Sequence, residues 1–197
     1  GHNGESHNHN DVGSFIVYLD GEPEIFDVGK CVYTAKTFGA GRYELMNTRS
    51  MNHNVPLIGE SEQAAGRKHG AKDVFADERG ARLELSGAYP EEAGVRSLVR
   101  TLRVSEDALT LTDDVTLETG APVTFVFMLR HRPSIQNGEA HFGGLRMAYD
   151  ASLDVQIEEI RVTDERMAGN FPGSVWRMTM TSLKGKKHRQ QFRMSKE

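Results

Sequence analysis

A two-residue apolar period is the feature that most narrows what this chain can fold into. In "LTLTDDVTLE", Leu109, Leu111, Val115 and Leu117 fall on one side, and in "VTFVFML" Val123, Phe125, Phe127 and Leu129 do the same. Side chains of a strand point alternately to opposite faces, so each run offers an apolar face to a core. "ARLELS" sets Leu83 and Leu85 against Arg82 and Glu84, and "LDVQIEEIRV" and "VWRMTMT" continue the series. Trp176, Met178 and Met180 share one face of the last run and read as core. In "SFIVYLD" both Phe15, Val17, Leu19 and the alternate Ile16, Tyr18 are apolar, which predicts a strand covered on both faces. The turn "DGEP" would bring "IFDVG" back as its hairpin partner. Further turn signals lie in "DERG", "SED", "ETGAP", "QNG" and "NFPGS". The best helical candidate, Glu60 to Gly70, lacks an apolar stripe and ends on glycine. The pattern predicts an all-β fold: an antiparallel, multi-stranded β-sandwich of two or more stacked sheets with little or no helix, forming a single domain over residues 1–197.

Charge and cysteine content exclude some functions. Twenty-four Lys and Arg against 28 Asp and Glu give a net charge of −4, which argues against a dedicated nucleic-acid binder. The basic stretches "KGKKHRQQFR" and "LRHR" read as solvated strands, the alternative being a surface that meets an anionic polymer. Arg42 and Arg49, on either side of Tyr43 in "GRYELMNTRS", are either solvated or placed to meet carboxylates or sulfates. Cys31 is the only cysteine, so no intrachain disulfide is expected and no redox compartment is imposed. No apolar run reaches the roughly 18 residues of a membrane helix, and no membrane association is expected. The chain opens without methionine inside what looks like a motif, and reads as a piece of a larger protein.

That motif is "SHNHNDVGSF", Ser6 to Phe15. On an extended strand His7 and His9 would project together, and Asp11 could join them. Imidazole and carboxylate suit zinc, but a His-x-His pair alone also occurs without metal. Asp27, flanked by Ile25, Phe26 and Val28, is an unexpected carboxylate for a buried strand, and a nearby cation would resolve its cost. His53, in the polar break "SMNHNVP", could approach the same place. The alternatives are a turn-capping aspartate and a loop histidine. "HNHND" also matches part of the His-x-His-x-Asp-His motif of metallo-β-lactamase-like hydrolases, but Val12 stands at its sixth position and the α/β pattern of that fold is missing. Cupins place a glutamate soon after their His-x-His, whereas the next one here is Glu22, beyond a full strand.

"HNHNDVGSFIVYLDGEPEIFDVG" followed by "YTAKTFGAGRYELMNTRSMNHNVPLIGE" closely resembles the opening of the heparinase II/III-like C-terminal domain of polysaccharide lyases, densely over Ser6 to Glu60. The resemblance implies a β-sandwich that follows an N-terminal α/α toroid of helices, with a cleft between them that takes an anionic polysaccharide. It implies β-elimination on uronic-acid-containing polymers, either heparin/heparan sulfate-like or alginate-like. It implies a structural zinc held by His9, Asp27 and His53, with His7 directed at substrate and Tyr33 a further catalytic residue from this domain. Half a site lacks the positioning of a whole one, so the chain alone is expected to be inactive or nearly so. A periplasmic or secreted location is expected. The competing reading is a carbohydrate-binding or structural module with a zinc staple. His7, which such a staple does not need, favours the lyase.

Overall fold

The computed structural model describes residues 2–4 and 7–197; Gly1, Glu5 and Ser6, and with them the start of the motif, lie outside the described residues. Among the described residues the strands pair antiparallel throughout, in two large sheets and a two-stranded ribbon. The larger sheet has eight strands, in the order Ser134–Gln136, Glu139–Phe142, Leu145–Ala148, Gly185–Lys196, Ala108–Ala121, Val95–Val104, Gly80–Glu84 and Lys72–Asp77. The smaller has six. Asp154–Arg161, Ser174–Thr181 and Val123–Leu129 lie side by side, and Val123–Leu129 carries Glu22–Ile25 and then Val17–Leu19 at one end of its other edge. Pro56–Ile58 pairs with Val123 to Phe125 at the opposite end of that edge.

Leu98, Leu111, Val115 and Phe192 of the larger sheet meet Phe125, Phe127, Met178 and Met180 of the smaller in one buried cluster. Phe192 packs against Phe125 and Phe127 at ring-centroid distances of 5.2 and 4.9 Å. Each such side chain contributes about 1.5–3 kcal/mol by leaving water. This is the sandwich the alternation predicts. Phe26, Val28, Met128, Met167 and Val175 form a second cluster on the far face of the smaller sheet, so Val123–Leu129 is covered on both sides. Met178 and Met180 are core as expected; Trp176 is only partly buried, with the Arg132 guanidinium 5.5 Å above its ring.

Some local expectations change. The segment around Val17–Leu19 is covered on one face only, because it is the edge of its sheet and the second cluster lies over the middle: Ile16 and Tyr18 are 47% and 63% exposed. Its partner is Glu22–Ile25 rather than "IFDVG", because Asp20 and Gly21, at φ of 51° and 87°, close the hairpin in two residues. Asp27 therefore lies beyond the strand. "ETGAP" is mostly strand, which runs on to Ala121. Residues 66–70 of the helical candidate are a strand, and the α-helix found is one turn, Glu165–Ala168, capped by Asp164. No helix among the described residues is long and apolar enough to cross a membrane.

Two opposite charges sit inside the sandwich. Arg100 and Asp113 are register partners on adjacent strands and point inward, in phase with Leu98, Leu111 and Val115. The guanidinium binds the carboxylate through both arms, at 2.9 and 2.7 Å. Its remaining donor reaches the carbonyls of Gly13 and Asn54 at 2.9 and 2.5 Å. Gly13 is at φ +88°, and a Cβ there would stand 2.7 Å from Leu85 Cδ1, so glycine is required where the chain comes down to Arg100. Removing one partner of a buried, hydrogen-bonded ion pair strands the other charge. Asp113→Ala is expected to lower unfolding free energy by about 3–5 kcal/mol in urea denaturation; a loss within the roughly 0.5 kcal/mol of an ordinary surface substitution would contradict this role for the pair.

Candidate functional site

Residues 7–13 are a loop, not the extended strand expected, because no neighbouring strand offers them a ladder. Side chains and turns from 42–63 hold them instead. Arg42, buried, donates to the carbonyls of Asn8 and, at 2.7 Å, of Thr37. Asn10 N–H donates to the Thr48 carbonyl at 3.0 Å, and Ser50 Oγ donates to the Asn10 carbonyl at 2.6 Å. The Gln63 amide bonds both backbone groups of Val12, each at 2.8 Å. Asp11 contributes its carbonyl to a turn, accepting from Ser14 N–H at 2.8 Å.

The two histidines line one small cavity, with Lys30, Tyr33, Arg42 and Asn47 among its walls, but they face different groups. The His9 ring lies 5.1 Å from that of His53. His53 is fully buried, with Nδ1 2.7 Å from Asp27 Oδ2 and Nε2 donating to the Asn47 carbonyl at 3.0 Å. Gly29 N–H donates to Asp27 Oδ1 at 2.9 Å. One ligand atom from each of His9, Asp27 and His53 lies within 4.8 Å of the other two. The structure thus brings together the three residues expected to share a metal.

The electrostatics fit a cation. Burial opposes charge on His53, but the hydrogen bond and charge of Asp27 outweigh it and raise its pKa. Burial also opposes charge on Asp27, and the His53 contact and Gly29 N–H outweigh it, so its carboxyl is held below the usual range. The Asp27 carboxylate favours positive charge beside Nδ1, which a proton or a metal ion could supply, and Nε2, donating to the Asn47 carbonyl, leaves Nδ1 to face Asp27. Burial and the nearby His53 lower the pKa of His9, which keeps it a neutral imidazole near pH 7. Two imidazoles and a carboxylate form a zinc-type donor set.

His7 stands apart on the exposed side. Its Nδ1 is 3.3 Å from the Tyr33 hydroxyl, and the Phe38 ring meets it edge-on at 5.5 Å. Tyr33 is 46% exposed and Phe38 is 62% exposed. Of the two flanking arginines, Arg42 braces the loop and Arg49 pairs with Glu62, so neither is a free anion-binding group.

Sequence reasoning missed Asn47 and Asn54. The Asn47 amide lies 3.3 Å from His9 Nε2, so this residue touches both histidines. Asn54 fills the gap on the edge of Val123–Leu129 between Glu22–Ile25 and Pro56–Ile58. Its amide donates to the carbonyls of Phe15 and Phe26, each at 2.8 Å, and its oxygen accepts from Met128 N–H at 2.7 Å. That stitch sets Asp27, one residue past Phe26, beside His53. The signal was the crowding of short polar side chains in "NTRSMNHN", which bond backbone when buried. Asn54→Ala strands two buried backbone groups and one part-buried carbonyl and is expected to cost at least about 2 kcal/mol in urea unfolding; an unchanged midpoint would show that the stitch is not needed.

The family model described as heparinase II/III-like, C-terminal matches residues 1–194. No curated protein matches the sequence. Among solved structures, a heparinase III gene product aligns over 95% of this chain and 30% of its own, at 12% identity and a TM-score of 0.70. Another heparinase III gives 96%, 30%, 15% identity and 0.68. The heparan sulfate lyase HepC of Pedobacter heparinus gives 98%, 31%, 14% identity and 0.65. At such identities the likeness is one of fold, and this chain spans under a third of the length of each.

Proposed function

We propose, because this chain belongs to the family of heparinase II/III-like C-terminal domains, that it is the sandwich part of a polysaccharide lyase acting on uronic-acid polymers, heparan sulfate-like or alginate-like, by β-elimination. The likeness to heparinase III and to a heparan sulfate lyase supports this reading. The observation that carries it is the separation of His7 from the three-residue cluster: a metal staple has no use for an exposed imidazole paired with a tyrosine hydroxyl at 3.3 Å. The whole unit 1–197 acts as one domain, and an N-terminal α/α toroid supplies the other wall of the cleft. A polymeric substrate places the protein in the periplasm or outside the cell.

In the elimination a base takes the C5 proton, which is α to the uronate carboxylate. The electron pair forms the C4–C5 double bond, and the C4 oxygen leaves with a proton from a general acid. His7 and Tyr33 are an acid–base pair within reach of each other, suited to holding and moving that proton. His9, Asp27 and His53 would hold zinc, whose charge fixes the loop rather than reacting. His7, two residues from His9, is oriented by that anchor.

Two outcomes follow. The purified chain should carry about one zinc, lost in His53→Ala, and chelator should lower its melting temperature, because a bound ion stabilises only the folded state. Absence of metal by elemental analysis, with chelator-insensitive melting, would remove the three-ligand assignment. In the full-length protein His7→Ala and Tyr33→Phe should each reduce kcat/KM on a uronate polymer by about 10²-fold or more, read by ultraviolet absorbance of the unsaturated product, while the isolated chain shows no turnover. Wild-type rates in both variants would contradict the catalytic assignment.

A further inference from the structure

A uronate polymer carries a negative charge on every acidic sugar, and the two arginines offered by the sequence are occupied by Asn8, Thr37 and Glu62. Two other cations remain. Lys30 is exposed and lines the cavity that His7 and Tyr33 share. Arg166 is exposed, and its guanidinium lies 5.6 Å above the Tyr33 ring. No salt bridge within 4.0 Å holds either side chain among the described residues, although the Arg166 charge is felt at the Asp164 carboxylate. We propose that Lys30 and Arg166 form an anion subsite beside the His7–Tyr33 pair, which binds a carboxylate or sulfate of an acidic polysaccharide and sets specificity for charged sugars.

The placement of Arg166 is built. Asp164 accepts from Val32 N–H at 2.8 Å with one carboxylate oxygen. With the other it accepts from Arg166 N–H at 3.0 Å and Met167 N–H at 2.9 Å. One carboxylate thus fastens the segment that carries Tyr33 to the one that carries Arg166. Met167, buried with Phe26 and Val28, anchors the same turn on the stretch that bears Asp27. A guanidinium held over an aromatic ring can still offer its N–H donors outward, and those donors match a planar carboxylate or a sulfate. Lys30 adds a mobile point charge.

The subsite rests on the lyase reading for its catalytic partner, but binding tests it separately. Lys30→Gln/Arg166→Gln in the full-length protein is compared with wild type and with Tyr33→Phe, on heparin and on unsulfated polyguluronate. Both side chains are exposed, so melting temperature should not change. KM, and Kd for heparin oligosaccharides by calorimetry, should rise at least about tenfold, with kcat within about threefold and a shallower dependence of log Kd on log salt. A rise on heparin alone identifies sulfate as the ligand, and an equal rise on both polymers identifies the carboxylate. Unchanged KM and Kd on both, with Tyr33→Phe inactive, overturns the subsite and leaves the lyase reading intact. A fully active Tyr33→Phe overturns the catalytic reading instead. Wild-type protein that binds neither polymer overturns the subsite.

Discussion

The buried pair of Arg100 and Asp113 is the contact on which the rest of the structure hangs. Desolvating a guanidinium and a carboxylate is costly, and their attraction offsets that only where every donor finds a partner. Here the remaining donor goes to two carbonyls, Gly13 at the end of the histidine loop and Asn54 just after His53. A charge inside the sandwich thereby draws together two polar segments far apart in sequence. Without it, residues 7–13 would have no link to the larger sheet comparable in strength, since they have no strand partner.

From that anchor the two histidines acquire different roles. Arg42 grips the carbonyl of Asn8, the residue between them, and so fixes the backbone on either side. His9 turns inward toward His53 and Asp27, where the Asp27 carboxylate favours a cation against the cost of burial. His7 turns outward toward Tyr33 and Phe38, where a polymer could reach it. In the proposed lyase, rigidity on one side would serve His7 on the other, because an imidazole that must meet substrate needs a fixed backbone more than a metal contact of its own.

The sandwich was legible because alternation is a local property, and the inner faces of Val123–Leu129 and Ala108–Ala121 follow it residue by residue. The meeting of His9, Asp27 and His53 was legible through family resemblance and through the oddity of Asp27 among apolar neighbours. The local form of the histidine loop was not, because it is fixed by Ser50, Gln63 and Arg42 rather than by its own sequence. The Arg100–Asp113 pair left a sign that alternation alone passes over. Asp113 falls in phase with Leu111 and Val115, and Arg100 in phase with Leu98, so two opposite charges occupy inward positions of neighbouring strands. The short helix after Asp164 has a capping residue but too few residues to show a helical period.

The proposed division of labour puts a metal ion on His9, Asp27 and His53 and leaves the His7 imidazole unligated. Anomalous X-ray diffraction at the zinc edge, from crystals of the full-length protein, tests it most directly. The expected result is a single strong peak within bonding distance of His9, Asp27 and His53, with His7 not ligated and facing the cleft beside Tyr33. A peak ligated by His7, or no peak at the three residues in metal-replete crystals, would contradict it.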